Sequence, residues 1–389
     1  MKKNKDIIIL IVDDTPYNID LLTAFLGDIY DIRVAVNGQE AVDRVKKEMP
    51  DLILLDIMMP VMSGVETLKY LKKDDIFRHI PVIMISAVDD IKTTINCIEM
   101  GAEDYLPKPF DRVLLMARIT SSLEKKLLRD KEQEYIARII KTQEMLKKEL
   151  SEAAGYVRSL LPEPLKGNIE TDWCFIPSAQ LGGDSFGYLW IDEENFVIYL
   201  LDVSGHGVGS ALLSISIMNL IRSGNLVNAD VTDPASVLNA LNERFQMETQ
   251  NNMYFTIWYG VFNKNTRVLR YGSAGHPPAI LFFRKKDKES SVLSLRTKGE
   301  PIGWSSENRY EMASVTCAKH STLFIFSDGA YEFVKPNGIN MTYAEFTKIL
   351  ERYKNQDEIQ VKKIFNDICL KKGSDMFDDD LSIVGVAFS

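Results

Sequence analysis

The sequence predicts an α/β protein in two parts: an N-terminal doubly wound parallel sheet and a C-terminal core of antiparallel strands under covering helices. A long helix joins them. Three observations carry this reading. Up to about Ser122, short apolar runs alternate with segments of helical periodicity. From Arg118 to Leu161 the chain is rich in Lys, Glu, Leu and Ile, with no Gly before Gly155 and no Pro before Pro162. After Gly167 the texture changes to strands joined by turns. At 389 residues the chain exceeds a single ordinary domain, and 46% apolar with 26% charged residues is a globular composition.

In chain order, the first strands are expected at Ile7–Val12, Val34–Val36, Leu52–Leu55, Val82–Ile85 and Tyr105–Leu106, with helices such as Tyr17–Leu26 and Gln39–Lys47 between them. Near-continuous apolar strands alternating with helices form parallel sheets covered on both faces. Their sites lie at the carboxyl ends of the strands. The next segment, 123–161, reads as a helical linker after a domain spanning 1–122. Its a/d pairs are Ile136/Ile139, Gln143/Leu146, Leu150/Ala153 and Val157/Leu160, the spacing of a coiled coil between two copies of the chain. An amphipathic helix packed on its own domains is the alternative. Pro162 and Pro164 end it.

In the remaining domain, 162–389, strands are expected at Phe196–Leu201, Phe255–Phe262, Val268–Tyr271, Ala279–Phe283, Thr322–Phe326 and Leu381–Phe388. Helices are expected at Ala211–Ile221, Pro234–Glu248, Thr342–Tyr353 and Val361–Lys371. Val203–Ile221 carries no charged side chain, but its helical part reaches only about 16 Å against a bilayer core of about 30 Å, so a membrane span is not expected. The charged start and the two aspartates after the first apolar run do not fit a signal peptide. Four scattered cysteines, Cys97, Cys174, Cys317 and Cys369, suggest reduced thiols in a cytoplasmic protein. Acidic residues outnumber basic ones, 55 to 46, for a net charge of −9, which disfavours nucleic acid or an anionic membrane as a general partner.

Two groups of acidic residues carry the chemistry. Asp13 and Asp14 follow the first strand, Asp56 ends the third, Ser86 ends the fourth and Lys108 follows the fifth, so all converge on one rim. Three carboxylates held about 4 Å apart repel by several kcal/mol per pair, which a bound cation and Lys108 relieve. Oxygen ligands suit Mg²⁺ or Mn²⁺, with Asp56 placed as an acyl-phosphate nucleophile. Ser86 and Lys108 can engage the phosphoryl oxygens.

This segment resembles the receiver domain of two-component response regulators through Val12-Asp13-Asp14, Leu55-Asp56-Ile57-Met58-Met59-Pro60, Ser63-Gly64, Ser86-Ala87, Gly101-Ala102 and Lys108-Pro109. The resemblance implies phosphorylation of Asp56 by a partner histidine kinase. It also implies Mg²⁺ at Asp13, Asp14, Asp56 and the Met58 carbonyl, a switch through Ser86 and Tyr105, and a cis Lys108–Pro109 bond.

The second group is Gly182-Gly183-Asp184, Asp202-Val203-Ser204-Gly205-His206-Gly207, Ser327-Asp328-Gly329 and Asp378-Asp379-Asp380, at turns and strand ends. Four carboxylates without Cys ligands favour a pair of hard Mg²⁺ or Mn²⁺ ions, which activate water for phosphoryl transfer. With Ser159-Leu160-Leu161-Pro162, Ala274-Gly275-His276-Pro277-Pro278 and Pro301-Ile302-Gly303, this half resembles the metal-dependent (PPM-type) serine/threonine phosphatases, in the branch of sporulation stage II protein E. The resemblance implies an α/β/β/α sandwich and makes Asp184, Asp202, Asp328 and Asp379 metal ligands, with Asp202 bridging and the Val203 carbonyl completing a shell.

Gly187 stands where many relatives have an accessory Asp. His206 is either a leaving-group acid or a turn histidine, and His276 reads as a turn residue. For that branch the substrate is a phosphoserine-bearing anti-sigma-factor antagonist. Two rival readings stand beside it: a metal-free binding module and a diguanylate cyclase. Gly182-Gly183-Asp184-Ser185-Phe186 resembles the cyclase signature but carries Ser185 in place of its glutamate. The expectation is a homodimeric phosphatase controlled through Asp56.

Overall fold

The computed structural model describes residues 4–87, 91–284, 290–353 and 359–389, so the charged start Met1–Lys3 lies outside the described residues. It divides into two compact units, Met1–Glu144 and Met145–Ser389.

The first unit is a parallel sheet of β1 (Ile8–Val12), β2 (Asp31–Ala35), β3 (Leu52–Asp56), β4 (Val82–Ala87) and β5 (Asp104–Lys108), in the order β2-β1-β3-β4-β5. Between them run α1 (Pro16–Leu26), α2 (Gly38–Lys47), α3 (Gly64–Lys73) and α4 (Ile91–Glu99). Alternation along β1 shows the double winding. Leu10 and Val12 pack with Ala41, Val45, Leu68 and Leu71 on one face, and Ile9 and Ile11 with Leu22, Leu26, Leu115 and Ile119 on the other. The second strand lies earlier than its apolar signal, because pairing with β1 begins at Asp31 and Val36 is exposed.

Helix α5 (Arg112–Ser159) runs 48 residues without a break, so no change of structure marks position 122. Its start packs on the sheet through Leu115, Ile119 and Ser122, whereas Ile136, Ile139, Ile140 and Leu146 are exposed. Among the described residues no helix is long and apolar enough to cross a membrane.

The second unit stacks two antiparallel sheets. One contains β7 (Ser185–Trp190), β8 (Asn195–Val203), β9 (Phe255–Asn263), β10 (Val268–Ala274) and β13 (Ala313–Thr316), ordered β13-β10-β9-β8-β7. The other contains β6 (Ile169–Ile176), β11 (Ala279–Arg284), β12 (Ser290–Leu295), β14 (Ser321–Phe326) and β15 (Leu381–Phe388), ordered β12-β11-β14-β15-β6. Phe196, Ile198, Leu200, Trp258, Leu323, Ile325 and Val384 fill the space between them.

The outer face of the first sheet packs Val197, Tyr199 and Leu201 on α6 (Val208–Arg222) and α7 (Pro234–Arg244). The outer face of the second packs Ile280, Phe282 and Phe324 on α8 (Tyr343–Glu351) and α9 (Val361–Lys372). The result is the expected α/β/β/α sandwich. Its central strands are apolar on both faces, because each separates a helix layer from the inner core.

Candidate metal centres

The N-terminal site assembles as its strand ends dictate. Asp13 is fully buried and Asp56 nearly so. Lys108 Nζ lies 3.0 Å from Asp13 Oδ2 and 2.9 Å from Asp56 Oδ1. Asp13 also accepts from the Thr15 backbone N–H at 2.9 Å and from Asn18 Nδ2 at 3.0 Å. Burial raises the Asp56 pKa above the ordinary carboxyl value, and Lys108 only partly opposes it. For Lys108, burial pulls the pKa down, but hydrogen bonds to Asp56 and Asp13 outweigh it and leave the ammonium favoured.

Asp13, Asp14 and Asp56 each offer an oxygen within 4.8 Å of the other two, and among the described residues no other trio of potential ligands closes so far. Gly64 belongs to this site for a steric reason: a Cβ there would stand 2.0 Å from the Asp56 carbonyl oxygen. Ser63 caps α3 in a reciprocal box with Glu66. Ser86 is buried, Met58 and Tyr105 are exposed, and the Arg118 guanidinium sits 5.9 Å from the Tyr105 ring centroid. Lys108–Pro109 is cis. Asn18 is a polar partner of Asp13 that sequence reasoning did not single out; its only signal was a position one turn into α1.

In the second unit, Asp184 precedes β7, Asp202 lies near the end of β8, Asp328 follows β14 and Asp379 precedes β15. The structure brings these segments to one rim. Asp184 is 3% exposed, and neither of its carboxylate oxygens has a hydrogen-bond partner; the Ser382 and Ser327 hydroxyls stand by without closing one. Burial, then Asp202 and Asp380, push its pKa well up. Burial, then Asp328, Asp379 and Asp380, raise Asp202 to about 8. Burial, then Asp379 and Glu332, raise Asp328 to about 6. Asp379 is also raised, by burial first, with the nearby His206 opposing.

These carboxylates are close enough to disfavour one another's ionisation, yet no trio among them closes to 4.8 Å. Asp379 is exposed and accepts the Asp380 N–H at 2.8 Å, but Asp184, buried without a protein cation or donor, is costly as it stands. An orphaned buried carboxylate among three others suits hard divalent cations.

Asp380 is the residue that sequence reasoning passed over. Its buried carboxylate accepts from the Ser178 backbone N–H (2.7 Å) and hydroxyl (2.9 Å), and from the backbone N–H groups of Gly183 (2.5 Å) and Asp184 (3.3 Å). It therefore ties the turn bearing Asp184 to the start of β15. The glycines make this approach possible: a Cβ on Gly182 would lie 2.4 Å from Asp380 Oδ2, one on Gly183 2.6 Å from the Val203 carbonyl, and one on Gly329 2.2 Å from the Asp380 carbonyl.

At Gly187, opposite Tyr199 in the ladder, a Cβ would meet the Tyr199 phenol at 2.3 Å, so the space an accessory Asp would need is filled. His276 lies in the connection between β10 and β11, as a turn residue would, and it is buried. Its Nδ1 lies 2.8 Å from the Thr256 hydroxyl, and burial pulls its pKa down to about 3.

The profile described as Stage II sporulation protein E (SpoIIE) matches residues 192–389, half of the chain and three of the four aspartates. The chain belongs to the stage II sporulation protein E family. The response regulator receiver domain matches residues 9–120. This SpoIIE-family chain is 25% identical over 244 residues to the phosphoserine phosphatase RsbU of Bacillus subtilis, covering 62% of this chain and 70% of that protein. It is 43% identical over 123 residues to the response regulator PleD of Caulobacter vibrioides, covering 31% of this chain and 27% of that protein. The chain thus spans about a quarter of the length of PleD. Among solved structures, the SiaA-PP2C domain of Pseudomonas aeruginosa superposes with a TM-score of 0.55 at 20% identity, over 64% of this chain and 99% of that one. That likeness establishes a PP2C fold.

Proposed function

We propose that this protein is a receiver-regulated, metal-dependent phosphatase that hydrolyses phosphoserine or phosphothreonine on a partner protein. The observation that carries the reading is the buried Asp184 carboxylate, without a hydrogen-bond partner and next to Asp202, which in turn neighbours Asp328 and Asp379. Asp184, Asp202, Asp328, Asp379 and the Val203 carbonyl would hold two Mn²⁺ or Mg²⁺ ions. Such a pair, when bound, supplies Lewis acidity toward water and the phosphate oxygens. The chain's own contribution is placement: Asp380 and the glycines fix the Asp184 turn, and β8 fixes Asp202 beside Val203.

In the receiver, Asp13, Asp14, Asp56 and the Met58 carbonyl would hold Mg²⁺. An Asp56 oxygen attacks the phosphorus of a phosphohistidine on the partner kinase, and the imidazole departs as the acyl phosphate forms. Lys108, already on Asp56, pairs with the new phosphoryl oxygens, and Ser86 and Tyr105 report the change. Two copies would join through α5, and the protein would act in the cytoplasm. RsbU and RsbP, another Bacillus subtilis relative, are named phosphoserine phosphatases, which favours a phosphoserine protein such as an anti-sigma-factor antagonist as substrate.

The test is phosphate release from a phosphoserine protein by the full chain with Mn²⁺ or Mg²⁺. Metal-dependent release that disappears in Asp202→Asn, with an unchanged circular-dichroism spectrum, is the expected result. Capture of the phosphoprotein without release in either metal would leave only a binding module.

A further inference from the structure

The rim that carries Asp202 continues beyond the four aspartates. Asp202 pairs with Thr256 across β8 and β9, and the Thr256 hydroxyl meets His276. The Gly275 N–H donates to the Gly299 carbonyl at 2.9 Å, and the Ser273 N–H donates to the Thr297 hydroxyl at 2.8 Å. The segment after β12 therefore runs alongside the same edge of the sandwich.

There a cavity of about 630 Å³ opens, lined by Arg296, Lys298 and Arg309 together with Glu300 and Glu311. Arg296 and Lys298 are exposed, and among the described residues neither forms an ion pair with a carboxylate. Arg309 commits Nη1 to the Ser306 and Asn308 carbonyls. Tyr331, three residues beyond Asp328, lies within electrostatic reach of both Asp328 and Arg296, and the ladder from Asp202 through Thr256 and its neighbour Ile257 to Gly275 leads to Gly299 in the cavity wall.

The charge of the surroundings gives this cavity its meaning. The chain carries a net −9, and the cleft alone holds Asp184, Asp202, Asp328, Asp379 and Asp380. An acidic segment approaching that cleft is repelled by the cleft and attracted where cations outnumber carboxylates, three to two. We propose that Arg296, Lys298 and Arg309 form a docking groove for acidic side chains flanking the phosphorylated residue of the protein substrate. This specificity rests on the phosphatase reading above. Charges of this kind guide encounter and select among partners, and salt weakens them.

Two labelled phosphoserine peptides, one with Asp and Glu around the phosphoserine and one with Asn and Gln, are titrated against the full chain by fluorescence anisotropy at low salt. The acid-flanked peptide is expected to bind about tenfold tighter, a preference lost at roughly 0.5 M salt. The double variant R296Q/K298Q, altered at two exposed positions, is expected to bind both peptides alike. Equal affinities in the unaltered chain, or a preference undiminished in the double variant, overturns the groove. Phosphate release from the same peptides with Mn²⁺ is followed in parallel: no release from either sinks the phosphatase reading, while the binding comparison still decides the groove.

Discussion

Three consecutive aspartates show how one step along the chain changes what a carboxylate does. Asp378 is almost fully exposed and pairs with Lys372 at 3.1 Å, Asp379 faces the acidic cleft, and Asp380 is buried and holds four hydrogen bonds. Hydrogen bonds to a charged group are worth about 1.5–3 kcal/mol each. Asp380→Asn replaces one accepting oxygen with a donor, so the Asp184 turn loses part of its anchor. Isothermal titration with Mn²⁺ should show affinity falling about tenfold, the equivalent of one such bond; unchanged affinity would mean that the turn holds without it.

His276 supports a different prediction at the same scale. Its pKa in the fold is about 3, against about 6.5 in an unfolded chain, so between those values the unfolded state binds the extra proton. The stability this group protects is present above about pH 6.5 and is lost as pH falls toward 3, by at most about 1.4 kcal/mol per pH unit. Chemical denaturation between pH 7 and 5 should show a shallower decline for His276→Gln than for the unaltered chain. Parallel declines would mean that His276 is not held neutral.

Among the elements, what the sequence made legible follows burial. The central strands β8, β9, β10, β11, β14 and β15 stand out as apolar runs because both of their faces are covered. The strands that escaped notice, β6, β7, β12 and β13, are the four sheet edges. An edge strand has a neighbour on one side only and a more mixed composition, as in Ser290–Leu295, so periodicity alone leaves it indistinct from loop. Helix α5 was legible for the opposite reason, because its composition excludes anything else, although it begins at Arg112, inside the receiver.

What α5 exposes is informative. Ile136, Ile139 and Ile140 lie at three- and four-residue spacings and Leu146 follows Ile139 by seven, each at least half exposed, and an isolated helix keeps such a ridge in water only at a cost. Pairing of two copies along this ridge predicts a dimer by light scattering. The double substitution I139E/L146E should shift it to a monomer, and an unaltered mass would remove the seam from the account.

Across the whole molecule, the two acidic sites differ in how far a sequence could define them. At the receiver site every participant stands at a strand end of a parallel sheet, whose geometry puts those ends side by side, so Asp13, Asp56 and Lys108 meet as their positions require. At the second site the structure brings the motif-bearing aspartates near one another. The division of labour between Asp379 and Asp380, and the filling of the Gly187 position by Tyr199, depend on packing between sequence-distant strands.

On the proposed reading, control of the phosphatase would turn on Asp56. Its carboxylate is 5% exposed, and it is held by Lys108 at 2.9 Å. Phosphorylation there adds about 1.5–2 negative charges and three acceptor oxygens. Lys108 would then repartition between Asp13 and the phosphoryl group, a change that would bias the receiver between two arrangements. An Asn at position 56 cannot form the acyl phosphate. The ratio of phosphate-release rates with and without acetyl phosphate, measured on a phosphoserine protein, should depart from one in the unaltered chain and return to one in Asp56→Asn. A ratio that stays the same in the variant would show that the acyl-phosphate donor acts elsewhere, and the receiver would no longer account for control.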